Sequence, residues 1–160
     1  MAKTLSCIIV VVFLSIFFAS PSSADHRGVK SEKQAENVVK FRQSLLQLVR
    51  SNMLPLGAMA KGRIPYDTEV MNINAMRIEQ LGLMMEDYFT PNASSFDVSS
   101  NAKSEIWANF DDFTAKTSDL IVAAKSLQEV AAEGDERSFR GAIGKLGGTC
   151  KACHDEYKEE

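Results

Sequence analysis

The chain is poor in the side chains that most metal and redox sites draw on: 160 residues contain two histidines and three cysteines. A structural zinc site wants four ligands, and beyond His154 the only other histidine, His26, lies in a polar leader. Past Cys7, near the N-terminus, the chain has one pair of cysteines. Cys150 and Cys153 stand three residues apart, which is not the framework of a fold-stabilising disulfide. There is no basic excess, since 18 Lys and Arg face 21 Asp and Glu for a net charge of −3. Without a cluster of cations the footprint of a nucleic-acid-binding protein is missing. Polar and apolar residues do not alternate at the period of a strand, and the apolar run from Ile8 to Phe18 is too short to span a bilayer comfortably.

What is present begins with that run. Lys3 precedes it and Ser22, Ser23 and Ala24 follow it, the pattern of a secretory signal with a small-residue cleavage site. Residues 1–24 are expected to be removed, with the mature domain starting near Asp25 and running to 160. An uncleaved anchor is the alternative. Cys7 lies ahead of the apolar run, badly placed for a lipid anchor, and is expected to leave with the signal.

Breakers divide the rest into four helical patterns. The first runs roughly from Glu32 to Met53, with Val38, Phe41, Leu45, Leu48 and Val49 on one side. Pro55 and Gly57 loosen it, and "KGRIPYD" turns the chain. Asp67 can cap the second helix, with Glu69 in its first turn; that helix carries Val70, Ile73, Met76, Leu81, Met84 and Met85. "TPNASSFDVSSNA" is a polar loop, and its Asn92-Ala93-Ser94 is a glycosylation triplet of a kind common by chance. In the third helix Ile106, Phe110, Phe113, Thr117, Leu120, Ala124, Leu127 and Ala131 recur in steps of four and three, an inward stripe. Gly134 and Asp135 end it. The fourth helix repeats the rhythm through Phe139, Ile143, Leu146, Cys150, Cys153 and Tyr157. Short turns between such helices predict an all-α, antiparallel up-down-up-down four-helix bundle. Gly141, Gly144, Gly147 and Gly148 each cost about 1 kcal/mol against alanine in a helix, and they suit a flat, bulky group close to the backbone.

"CKACH" decides the chemistry. A redox dithiol of the Cys-x-x-Cys kind usually opens a helix in a β-containing fold, whereas this one closes a helix in an all-α chain. The pentapeptide is also the signal for covalent haem attachment. The two thiols would add to vinyl groups as thioethers, and His154 would bind the iron as proximal ligand. Residues i, i+3 and i+4 share a helical face, so one turn presents all three.

"VVKFRQSLLQLV", "MAKGRIPYD", "EIWANFDDF" and "CKACHDEYK" together resemble the cytochrome c′ family over nearly all the mature chain. The resemblance implies one haem c near the C-terminus, a homodimer, a periplasmic location and five-coordinate iron that takes nitric oxide or carbon monoxide. A related branch is six-coordinate, with a methionine as sixth ligand, and carries electrons to an unidentified redox partner. Bundle topology places the pocket near Val38 to Leu46, Met84 to Phe89 and Ile106 to Phe110. Met84 and Met85 stand at that level and compete for the iron; Met53 and Met59 are read as lying beyond it. The family match puts Leu46 at the distal position, where leucine cannot ligate. It also suggests that Arg42 pairs with a haem propionate, that Phe89 and Trp107 wall the haem, and that Lys158 stands where arginine is more usual beside the proximal histidine. No distal histidine or acid–base pair falls at the pocket positions, so an enzyme is not expected.

Overall fold

The computed structural model describes residues 28–159. The expected signal, its cleavage site, Cys7 and His26 lie outside the described residues. Four long helices carry the fold: α1 Glu32–Ala60, α2 Thr68–Phe89, α4 Phe110–Glu133 and α5 Glu136–Tyr157, with a single turn, α3 Glu105–Ala108, ahead of α4. They pack in a ring, α1 on α2, α2 on α4, α4 on α5 and α5 on α1. That is the expected four-helix bundle. The closest pair is α2 with α4, and the sparsest contact of the ring is α1 with α5. Gly82 permits the close approach: a methyl group there would stand 2.9 Å from Cγ1 of Ile121 on α4. No helix among the described residues is long and apolar enough to cross a membrane.

The local signals act largely as expected. Asp67 accepts from the Val70 amide at 3.0 Å, capping α2, and Gly134, at φ 75°, closes α4 in the left-handed conformation. Every member of the stripe from Ile106 to Ala131 is buried. The stripe survives a break in the helix at Asn109 between α3 and α4.

Three expectations are corrected. First, α1 does not loosen at Pro55 but continues to Ala60. Leu56 and Met59, buried completely or nearly so beyond the proline, anchor the extra turns against the lost backbone bond. Second, Phe41 and Leu48 are more than half exposed, and the buried face of α1 runs instead through Ala35, Val39, Arg42, Leu45, Val49 and Asn52. Third, α2 is turned in the same way: it buries Met71, Asn74, Ala75, Ile78, Gly82, Met85 and Phe89, while Met76 and Met84 face outward. Both helices carry apolar residues on two faces, so the period alone does not say which one the core takes.

The open end of the bundle is tied by the chain after α5. The Lys103 amide donates to the Tyr157 carbonyl at 3.0 Å and the Glu159 amide to the Asn101 carbonyl at 2.8 Å. Inside these ties the Tyr157 hydroxyl donates to Asp112 at 2.6 Å. That bond holds the Asp112 carboxyl below the usual carboxylate range, and burial pushes the phenol up. The last turn of α5, which carries the Cys-x-x-Cys-His motif, is thus fixed against the first turns of α4.

Candidate functional site

Between α1 and α5 the bundle leaves a cavity of about 1250 Å³, open to solvent on one side. Its α1 wall is broad, and it includes a stripe in which Val39, Gln43, Leu46, Arg50 and Met53 follow one another in steps of four and three. Facing it from α5 are Gly147, Cys150, Cys153, His154 and Tyr157. Met85 and Phe89 of α2 and Ile106, Phe113, Thr117 and Leu120 close the interior, and Ser100 to Ala102 border the mouth. Of the eight residues singled out from the sequence, seven line this one cavity: Arg42, Leu46, Phe89, Cys150, Cys153, His154 and Lys158.

Trp107 is not on the wall. It stands behind it, donating its indole N–H to the Phe89 carbonyl at 2.8 Å. Met84 is turned to solvent, whereas Met85 is buried against the cavity. Met53, expected to lie beyond the pocket level, is on the wall, because the cavity follows α1 for two turns past Leu46. Recurrence from Leu46 at +4 and +7 was the available signal for Arg50 and Met53. Only Gly147 of the four α5 glycines borders the cavity, with open space where a β-carbon would stand. Gly148 faces a separate groove between α4 and α5.

The donor set suits haem. Both cysteines are unbridged and half-buried. Loss of solvent raises both thiols, Cys153 to about 11, so each carries its proton at neutral pH. His154 is lowered by burial first and by the Lys158 charge second. Its imidazole is therefore neutral and available as a metal ligand, and its ring makes no hydrogen bond among the described residues. The three donors are strung along one turn and do not converge: no group of three His, Cys, Asp or Glu among the described residues is arranged to hold a bare ion. A planar group carrying its own iron matches that spread and matches the slot beside Gly147.

Arg42 has partners the sequence did not suggest. Its Nε donates to the Tyr88 carbonyl at 2.8 Å and its Nη2 to the Pro91 carbonyl, while Phe89 and Trp107 flank the guanidinium at 5.0 and 4.9 Å. The expected propionate is thus not the partner of these two nitrogens. The end of α2 presents carbonyls with no helical donor, and the buried fork satisfies them. Burial lowers Arg42 to about 10, and it remains a cation at neutral pH with no carboxylate paired to it among the described residues.

The sequence matches the family described as Cytochrome C′ over residues 37–158. It is 37% identical to a cytochrome c′ of Cereibacter sphaeroides over 126 residues, 78% of this chain and 84% of that one. Among solved structures, a cytochrome c′ from Rhodobacter spheriodes superposes with a TM-score of 0.72 at 36% identity, over 79% of this chain and 98% of the other. The nitric oxide complex of a leucine-to-alanine variant of the Alcaligenes xylosoxidans cytochrome c′ superposes with a TM-score of 0.69 at 30% identity, over 79% and 96%.

Replacing Arg42→Ala should leave the Tyr88 and Pro91 carbonyls unpaired and remove the cation held between Phe89 and Trp107. The expected cost is about 2–4 kcal/mol, by analogy with other broken buried polar contacts. Denaturant unfolding of the haem-loaded protein measures it; a loss under about 0.5 kcal/mol would remove the clip from this account.

Proposed function

The chain belongs to the cytochrome c′ family, whose members carry covalent haem c, and from that premise we propose a periplasmic haem protein with five-coordinate iron that binds diatomic gases and exchanges electrons. A haem held in the cavity supplies an iron that takes a gas ligand and gains or loses one electron. The protein's own groups do the rest. Cys150 and Cys153 would hold the macrocycle to α5, and the ring of His154, exposed at the cavity wall, would bind its iron. Burial first and the Lys158 charge second lower that imidazole and favour its neutral form. Leu46 crowds the opposite wall without offering a donor atom. The buried Arg42 cation sets a positive charge beside the site with no carboxylate paired to it among the described residues.

The observation that carries this reading is that Leu46 and His154 border the same cavity from opposing helices. An aliphatic group facing the ligating histidine restricts ligands without occupying the sixth position. The nitric oxide complex of a similar protein supports gas as the ligand class. Among the described residues no second histidine and no carboxylate lines the cavity, which favours binding over acid–base catalysis. The second reading is the six-coordinate electron carrier. Its specific support is that Met85 and Met53 present thioethers to the cavity.

We also propose a homodimer formed through α1 and α2. Phe41, Leu48, Leu83 and Met84 leave an exposed apolar face there, and Phe41 meets Tyr88 edge-on at 6.4 Å. Sedimentation across dilution should give a dimer that Leu48→Lys dissociates. A strict monomer at micromolar concentration would contradict the proposal.

The ferrous protein should give a high-spin spectrum that shifts with carbon monoxide. Leu46→Ala should raise the carbon monoxide association rate measured by flash photolysis, at a stability cost of about 2–4 kcal/mol or less, since the side chain is partly exposed. Leu46→Met should convert part of the population to low-spin iron. A parent already low-spin and indifferent to carbon monoxide would transfer the assignment to the electron carrier with Met85 or Met53 on the iron.

A further inference from the structure

The charge on the cavity wall is one-sided. The chain as a whole is acidic, with 21 carboxylates against 18 Lys and Arg, yet among the described residues no Asp or Glu borders the cavity. Lys40, Arg42, Arg50, Lys116 and Lys158 all do. Arg42 is buried, and Lys116 is balanced by Asp112 at 3.5 Å. Lys40 and Arg50 are exposed, and neither makes an ion pair among the described residues. They stand ten residues apart on α1, about 15 Å along its axis, and between them lie the uncharged Gln43, Ser44 and Gln47. Lys158 faces them from the end of α5, its ammonium bonded among the described residues to the Glu159 carbonyl at 3.2 Å. Even with the two propionates of a haem seated and Asp112 set against Lys116, the mouth keeps a positive excess.

We propose that this mouth is the docking surface for an acidic redox protein, which places its carboxylates on Lys40, Arg50 and Lys158 and its own redox centre over the haem edge. This rests on the reading that the haem exchanges electrons. Charge complementarity of this kind raises association rates by steering. Exposed charges farther apart than about 8 Å are screened at physiological salt, so the effect is lost as salt rises. The neutral strip of Gln43, Ser44 and Gln47 lets the partner approach closely without desolvating a further charge.

The test is stopped-flow reduction of the haem-loaded full chain by two probes. Reduced flavodoxin serves as an acidic protein donor and photoreduced lumiflavin as an uncharged one. Reduction by flavodoxin should slow at least about tenfold between low and high salt, in line with steered association, while lumiflavin reduction should not respond. The double variant Lys40→Glu, Arg50→Glu should lower the low-salt flavodoxin rate about tenfold and flatten its salt dependence. The variant's flavodoxin rate is read relative to its own lumiflavin rate, so that any change at the haem itself cancels. A flavodoxin rate that ignores salt, rises with salt or is unchanged in the double variant would overturn the docking surface while leaving electron exchange intact. Failure of both probes to reduce the haem would overturn electron exchange and the surface together.

Discussion

The seam between α1 and α5 is the constraint on which the rest depends. In a bundle of four helices each seam must be filled, and interiors of this kind pack nearly as densely as organic crystals. Three seams are filled by side chains. The fourth is not: α1 and α5 are the least engaged neighbours, and the volume between them is bordered by Gly147, two half-buried thiols and Leu46. Apolar side chains such as Phe89, Phe113, Ile106 and Leu120 face that volume from behind. A haem seated there would fill it and be part of the core as much as a reactive group. Its binding adds to the folding free energy of the native state.

Electrostatics follow from the same vacancy in side-chain packing. A guanidinium buried without a carboxylate is costly unless its donors are satisfied. Arg42 meets this by turning two nitrogens onto the carbonyls that end α2 and by lying between two aromatic faces. The same contacts hold Phe89 at the cavity and tie α1, α2 and Trp107 together. Across the cavity the depressed His154 and the raised Cys153 leave every donor in the protonation state that covalent haem binding starts from. Charge that is buried is thus committed to structure, and charge that is exposed, on Lys40 and Arg50, is left free at the mouth.

How much of this the sequence discloses differs by element. The attachment motif is legible because its chemistry is local: one turn of helix contains all of it. The α4 stripe is legible because its steps of three and four are interrupted by no competing apolar face, and every member is buried. The phases of α1 and α2 are not legible in this way, since Phe41, Leu48, Met76 and Met84 present a second apolar face. Pro55 misleads for the opposite reason. It is a strong local signal overruled by distant packing of Leu56 and Met59. The partners of Arg42 depend on where α2 ends in space, which periodicity does not encode. Met53 is missed by comparing levels along the bundle axis and would be found by following the stripe from Leu46. Of the α5 glycines, Gly141, Gly144 and Gly148 have no place on the cavity wall, so composition overstates the close-approach argument and Gly147 alone sustains it.

The central claim is that Cys150 and Cys153 hold one haem covalently in the α1–α5 seam. Intact mass of the protein, secreted by a host equipped for haem attachment, measures this directly. The account predicts a chain beginning near Asp25 with the mass of one haem added, retained after acidified organic extraction and lost when both cysteines are replaced by alanine. A parent protein whose mass is that of the polypeptide alone, or whose haem passes into the organic phase, would contradict it.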